Sequence, residues 1–111
     1  MPEPPPEVAV NLIPLRDPAM LEDFKRFSNE VDRPICLAQD VVLGFDAFAV
    51  TRRDEGAPAV DIVEVMTVRN WDEWVDVRDN MPAMDEVMTG FDKLVDAATV
   101  RTLFATPIRG R

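Results

Sequence analysis

The chain has no histidine and no tyrosine, and its only cysteine is Cys36. Without an imidazole, Ser-His-Asp triads, Cys-His dyads and histidine-ligated metal sites are excluded. Without a phenol, tyrosine cannot serve as an acid. One thiol forms neither an internal disulfide nor a CxxC motif, so no cysteine cluster is available for a metal either. Positive charge is also scarce. Twelve Lys and Arg against 21 Asp and Glu give a formal charge of −9. That balance argues against nucleic-acid backbones, where basic contacts supply most of the affinity, and against anionic membrane surfaces. No window approaches the ~18 apolar residues of a membrane span. Met1 to Glu7 holds four prolines and two glutamates, with no basic and apolar leader pattern, which reads as a cytoplasmic protein with a reduced Cys36.

What is present is ordinary for a globular domain. The 111 residues are 47% hydrophobic and 30% charged, enough for one modest core. Residues 1–6 read as a flexible Pro-rich lead-in and 7–111 as a single domain. Glu7 to Leu15 reads as a strand closed by Pro14. Asp17-Pro18 opens a helix, Met20, Phe24, Phe27 and Val31 form its buried face, and Pro34 ends it near Asp32. Val41 to Thr51 is a second strand, with Leu43, Phe45, Ala47 and Ala49 on one face and Val42, Phe48 and Val50 on the other. After a turn holding Gly56 and Pro58, Val60 to Val68 is a third strand. Asn70 caps a helix that breaks before Pro82 and resumes with Met84, Val87, Met88, Phe91, Leu94 and Val95 as its stripe. Thr99 to Ile108 is the last strand.

The order is βαββαβ with an interrupted second helix, which predicts a ferredoxin-like α+β fold with helices on one face of an antiparallel sheet. Strands apolar on both faces need cover on both, and two helices cover only one. A second copy using the same patch twice would cover the other, giving a homodimer and a dimeric α/β-barrel.

The sequence also resembles the RedY-like, or HapK-like, family. The likeness runs over roughly 7–109. It is carried by Asp32-Arg33-Pro34, Val41-Val42-Leu43-Gly44-Phe45, Asp61-Ile62-Val63-Glu64-Val65, and the Trp71 to Trp74 helix start with Asp79 and Pro82 downstream. The resemblance implies a dimeric α/β-barrel protein of alkaloid biosynthesis. It further implies a cyclisation or shaping step on a reactive aromatic intermediate, without metal or organic cofactor. Carbazole cyclases of the carquinostatin and neocarazostatin type are the functional analogues it suggests. A mechanism needing His or Tyr is closed to this chain.

Glu64 is the leading catalytic candidate. It lies among Ile62, Val63, Val65 and Met66, where an unpaired carboxylate is costly unless it protonates or finds a partner. It is either a general acid or base, or the partner of Arg101 across the sheet, or a residue of an exposed edge. Asp32 is either a second carboxylate at the pocket mouth or a side chain bonding its own turn, the commoner use. Trp71 and Trp74 share a helical face and either stack on a flat ligand or anchor the helix. Asn11 and Arg101 interrupt apolar strands and either orient a ligand oxygen or face solvent; Asp46 is similar. Asp79 either caps the broken helix or borders a pocket. Asp72, Asp76 and Asp79 read as a solvated stripe. Met84 and Met88, with Met20, Met66 and Met81, fill the core or line an adaptable pocket. Cys36 reads as an inert thiol.

Three functions compete. The first is a cofactor-independent cyclase acting on a carbazole-, indole- or pyrrole-type intermediate. The second is a cofactor-free monooxygenase or decarboxylase of the same barrel class. The third is a non-enzymatic subunit that binds and hands on the intermediate.

Overall fold

The computed structural model describes residues 4–108. Half of the expected lead-in, 1–3, and the last three residues of the expected domain, 109–111, lie outside the described residues; 4–6 have no regular structure. The chain then forms strand β1 (Glu7–Ile13), a 3₁₀ turn (Pro18–Met20), helix α1 (Leu21–Phe27), a π segment (Ser28–Asp32) and helix α2 (Arg33–Leu37). Strands β2 (Val42–Ala49) and β3 (Ile62–Val68) follow. Helices α3 (Trp71–Asn80) and α4 (Met84–Leu94), a 3₁₀ turn (Ala97–Thr99) and strand β4 (Arg101–Ala105) complete it.

The sheet has the order β2-β3-β1-β4 with every pairing antiparallel. That order, with βαββαβ connectivity and the helices packed on one face, is the ferredoxin-like α+β arrangement. Ile13, Ile62, Met66 and Val68 on the inner face meet Phe24, Trp74, Met84, Val87 and Val95 in one core. Local signals fix the helix ends. The Asp17 carboxylate accepts the Ala19 N–H at 2.9 Å, with Pro18 in the first turn. Asn70 accepts the Glu73 N–H at 2.9 Å to start α3. Gly90 lets α4 lie against α1, since a Cβ there would come within 2.5 Å of the Phe27 ring.

Two expectations need correction. The first helix does not stop at Pro34. It passes through a wide turn, in which the Arg33 N–H bonds the Ser28 carbonyl five residues back, and runs on to Leu37. Pro34 sits in the first turn of α2, where a missing N–H is tolerated. An α-helix advances about 100° per residue, and a π turn advances less. Asp32 therefore comes back to the inner face beside Phe24 and Ser28 rather than rotating away, and Asp32 and Ser28 are buried while Val31 is only half-buried. The face of β2 also differs. A bulge between Val42 and Gly44 turns both Val42 and Phe45 inward and leaves Leu43 exposed.

The strands are shorter than expected at their ends, because the β2–β3 connection and residues 97–99 make turns of their own. The outer face of the sheet has a largely apolar centre. Val10 and Leu12 of β1, Val63 and Val65 of β3, Phe48 of β2 and Leu103 of β4 share it by register. Phe48 and Leu103 are 55% and 61% exposed.

Candidate functional site

A cavity of about 430 Å³ lies between the inner face of the sheet and helices α3 and α4. The strands supply a polar row to it. Glu64 of β3 stands opposite Asn11 of β1, and Asn11 stands opposite Thr102 of β4. All three line the cavity, as do Asp32 and Cys36 from the first helix. Helix α3 contributes Trp71, Trp74, Arg78 and Asp79; α4 contributes Met84, Val87, Met88 and Phe91. Most of the wall is thus apolar, with the polar groups gathered on the strands and beside the π segment, the composition of a small-molecule pocket.

Glu64 and Asp32 are each only 4% exposed. Burial pushes the Glu64 carboxyl up to about 8; the negative charge of Asp32 adds to the rise, and the Asn11 amide works against it. Burial likewise raises Asp32 to about 6, held back by hydrogen bonds from the Cys36 thiol and from Glu64. Burial raises both carboxyls, and because they interact, their titrations belong to the pair rather than to either residue alone. Glu64 Oε2 is buried and accepts no hydrogen bond among the described residues, a position better suited to a carboxylic acid than to a carboxylate.

The surroundings fix this arrangement. Cys36 Sγ donates to Asp32 Oδ1 at 3.3 Å. Burial first, then the nearby charge of Asp32, drives that thiol well above its ordinary range, so Cys36 is a hydrogen-bond donor and no nucleophile. Thr102 Oγ1 donates to Asn11 Oδ1 at 2.7 Å, which turns the Asn11 NH₂ toward Glu64. The Trp71 ring meets Phe104 edge-on, with centroids 4.8 Å apart, while Trp74 is buried in the core. Met88 is 46% exposed and forms part of the rim. Among the described residues, no three His, Cys, Asp or Glu side chains converge as a metal would require.

Of the residues singled out in the sequence, Glu64, Asp32, Asn11, Trp71, Trp74, Asp79, Met84 and Met88 all border this one cavity. Arg101 does not. It pairs with Leu12, so it points to the outer face, and its guanidinium bonds the Ala98 and Val100 carbonyls. The alternative pairing of Glu64 with Arg101 across the sheet fails for the same reason. Asp32 does not cap a helix end there, because the helix continues, and its carboxyl accepts from the Cys36 thiol instead. Asp46 is exposed and faces Arg33 at 3.5 Å. Sequence reasoning missed Thr102 and Arg78. Thr102 carries no signal of its own in the sequence, because its place beside Asn11 follows from the register of β4 on β1. Arg78 would have followed from the spacing of Trp71, Trp74 and Arg78 along one helix face.

The chain and its fold have relatives. Residues 7–108 match the family described as REDY-like protein HapK. The crystal structure of HapK from Hahella chejuensis superposes with a TM-score of 0.76 over 95% of each chain, at 17% identity. A dimeric ferredoxin-like protein of unknown function from Thermobifida fusca gives 0.68 at 10% identity, over 93% of this chain and 92% of that one. SnoaB, a cofactor-independent oxygenase from Streptomyces nogalater, gives 0.62 at 15% identity, over 96% and 97%. Among curated protein sequences none matches. No helix among the described residues is long and apolar enough to cross a membrane. By a match that spans nearly its whole length, the chain belongs to the REDY-like HapK family.

Proposed function

We propose that this protein is a cofactor-independent cyclase that closes a ring on a carbazole-, indole- or pyrrole-type intermediate of natural-product biosynthesis. The observation that carries the reading is the buried Glu64–Asp32 pair at the polar side of a largely apolar cavity. Such a cavity holds a flexible aromatic precursor folded on itself, which removes most of the entropic barrier to closure. Trp71 flanks the ring system, and Met84 and Met88 adapt to its outline.

The acid form of Glu64 protonates the electrophilic end of the precursor as the new ring bond forms. The proton lost when the ring regains aromaticity passes to the ionised pair, with Asp32 receiving it and Glu64 restored. One proton leaves the pair and one returns, so the pair is unchanged after a turnover. Cys36 and Asn11, bonded to Asp32 and Glu64, position the two carboxyls.

Glu64→Gln removes the acid and preserves shape. With carbazole-, indole- and pyrrole-type precursors as substrates, the expected result is a single-turnover rate reduced by roughly 10²–10⁴, with ligand affinity little changed. A fully active Gln variant would defeat the assignment of Glu64. The likeness to SnoaB supports a second reading, cofactor-free oxygenation, in which the ionised Asp32 would deprotonate the substrate before it meets oxygen. An oxygen electrode separates the two: cyclisation consumes none. A product rate equal to the blank would leave only an intermediate-binding role.

The working unit in this proposal is a cytoplasmic homodimer. The largely apolar centre of the outer face supports the dimer, together with the dimeric ferredoxin-like structure from Thermobifida fusca.

A further inference from the structure

Helix α3 turns one face toward the cavity, and residues at spacings of three and four along it are Trp71, Trp74 and Arg78. Two of these are the large aromatic groups expected where an amphipathic helix meets a core. The third is an arginine, whose side chain is 34% exposed. It is the cationic residue in the cavity wall. Its Nε donates to Oδ1 of the adjacent Asp79 at 3.0 Å. Among the described residues, its two terminal amino groups donate to nothing, although they belong to a side chain that borders the cavity. A guanidinium is weakly hydrated and planar, and it offers paired donors to an oxygen acceptor.

Resting on the aromatic-ligand reading above, we infer that Arg78 is a substrate-orienting residue that binds an oxygen acceptor on the planar ligand, a carbonyl or a carboxylate. The ligand then lies with its ring system beside Trp71 and its oxygen on Arg78. The orientation presents the remaining edge to Glu64. Asp79 holds the guanidinium by Nε and leaves the amino groups for the ligand.

The two tryptophans provide the readout, because each contributes one indole N–H signal to a ¹⁵N NMR spectrum of the full chain. Indole, indole-3-carbaldehyde and indole-3-carboxylate are titrated separately against wild type, Arg78→Gln and Asp79→Asn. In wild type the two oxygen-bearing probes should bind at least about tenfold tighter than indole, as expected for a charge-assisted hydrogen bond. Arg78→Gln should erase that difference without changing indole binding, and Asp79→Asn should preserve it. A gain seen with the carboxylate alone supports the inference and narrows the ligand to an anion. Equal binding of all three probes in wild type, or a gain that survives in Arg78→Gln, would overturn it. Indole that moves neither tryptophan signal would overturn the aromatic cavity itself. Glu64→Gln separates the two claims, since it should bind all three probes as wild type does whatever its effect on rate.

Discussion

Asn11 faces Glu64 directly across the pairing of β1 and β3, and it is the next residue along the same row, Thr102, that decides which end of the Asn11 amide Glu64 meets. The Thr102 hydroxyl takes Oδ1, so the NH₂ turns to the carboxyl and opposes the rise that burial imposes on it. Thr102→Val removes that constraint. Freed to rotate, Asn11 no longer favours the Glu64 carboxylate, and the titration of Glu64 moves further up. The pH profile of turnover should shift alkaline while the melting temperature hardly changes, because Thr102 is exposed. An unshifted profile would mean that Thr102 has no hold on Asn11.

Stability should also fall with rising pH. Both carboxyls have folded-state values above those of the unfolded chain, so the folded state binds more protons between them. The stabilisation is complete below the unfolded value, near pH 4, and is lost as pH passes about 6 for Asp32 and about 8 for Glu64. Urea unfolding at pH 5 and pH 9 should differ by about a few kcal/mol in wild type and by clearly less in Glu64→Gln. Parallel behaviour of the two proteins would mean that Glu64 does not carry the pH dependence.

The outer sheet face gives a third expectation. Leu103 is 61% exposed in the single chain and sits beside Val10, itself paired with Val65, at the apolar centre of the outer face. Light scattering at micromolar concentration should find twice the chain mass, and Leu103→Asp should halve it. Wild type that scatters as one chain would remove the dimer from the account.

Much of this fold was legible because its signals are local. The Asp17-Pro18 start, the Asn70 cap and the break at Pro82 each depend on a few neighbouring residues, and each is where the spacing put it. The inward set of β3, Ile62, Glu64, Met66 and Val68, was less plain, since Val63 and Val65 make the other face apolar too and the sequence does not say which face turns to the helices. Asp32 was harder. Its inward position depends on a π turn, and a proline two residues later argues for the opposite, a helix end. The same turn hid the bond from Cys36, whose spacing of four from Asp32 has meaning only if the helix continues. The bulge at Val42 displaced only the start of β2: Val42 turns inward and Leu43 outward, while Phe45, Ala47 and Ala49 keep the face their spacing gave them and Phe48 the other. Arg101 was misplaced because a short strand's register is set by its partner: whether an odd or an even residue faces inward is decided by Leu12, which its own sequence does not contain.

The central claim is that a single proton is held by two buried carboxyls in one cavity, and side-chain carboxyl ¹³C NMR measures it directly. Titrated from pH 3 to pH 10, wild type should show two linked steps, near 6 and near 8, standing apart from the exposed carboxylates. In Glu64→Gln the upper step should disappear, and the remaining Asp32 step should persist alone. If every carboxyl in wild type instead titrates below pH 5, Glu64 is ionised at neutral pH, and no acid is available in the cavity to start the proposed ring closure.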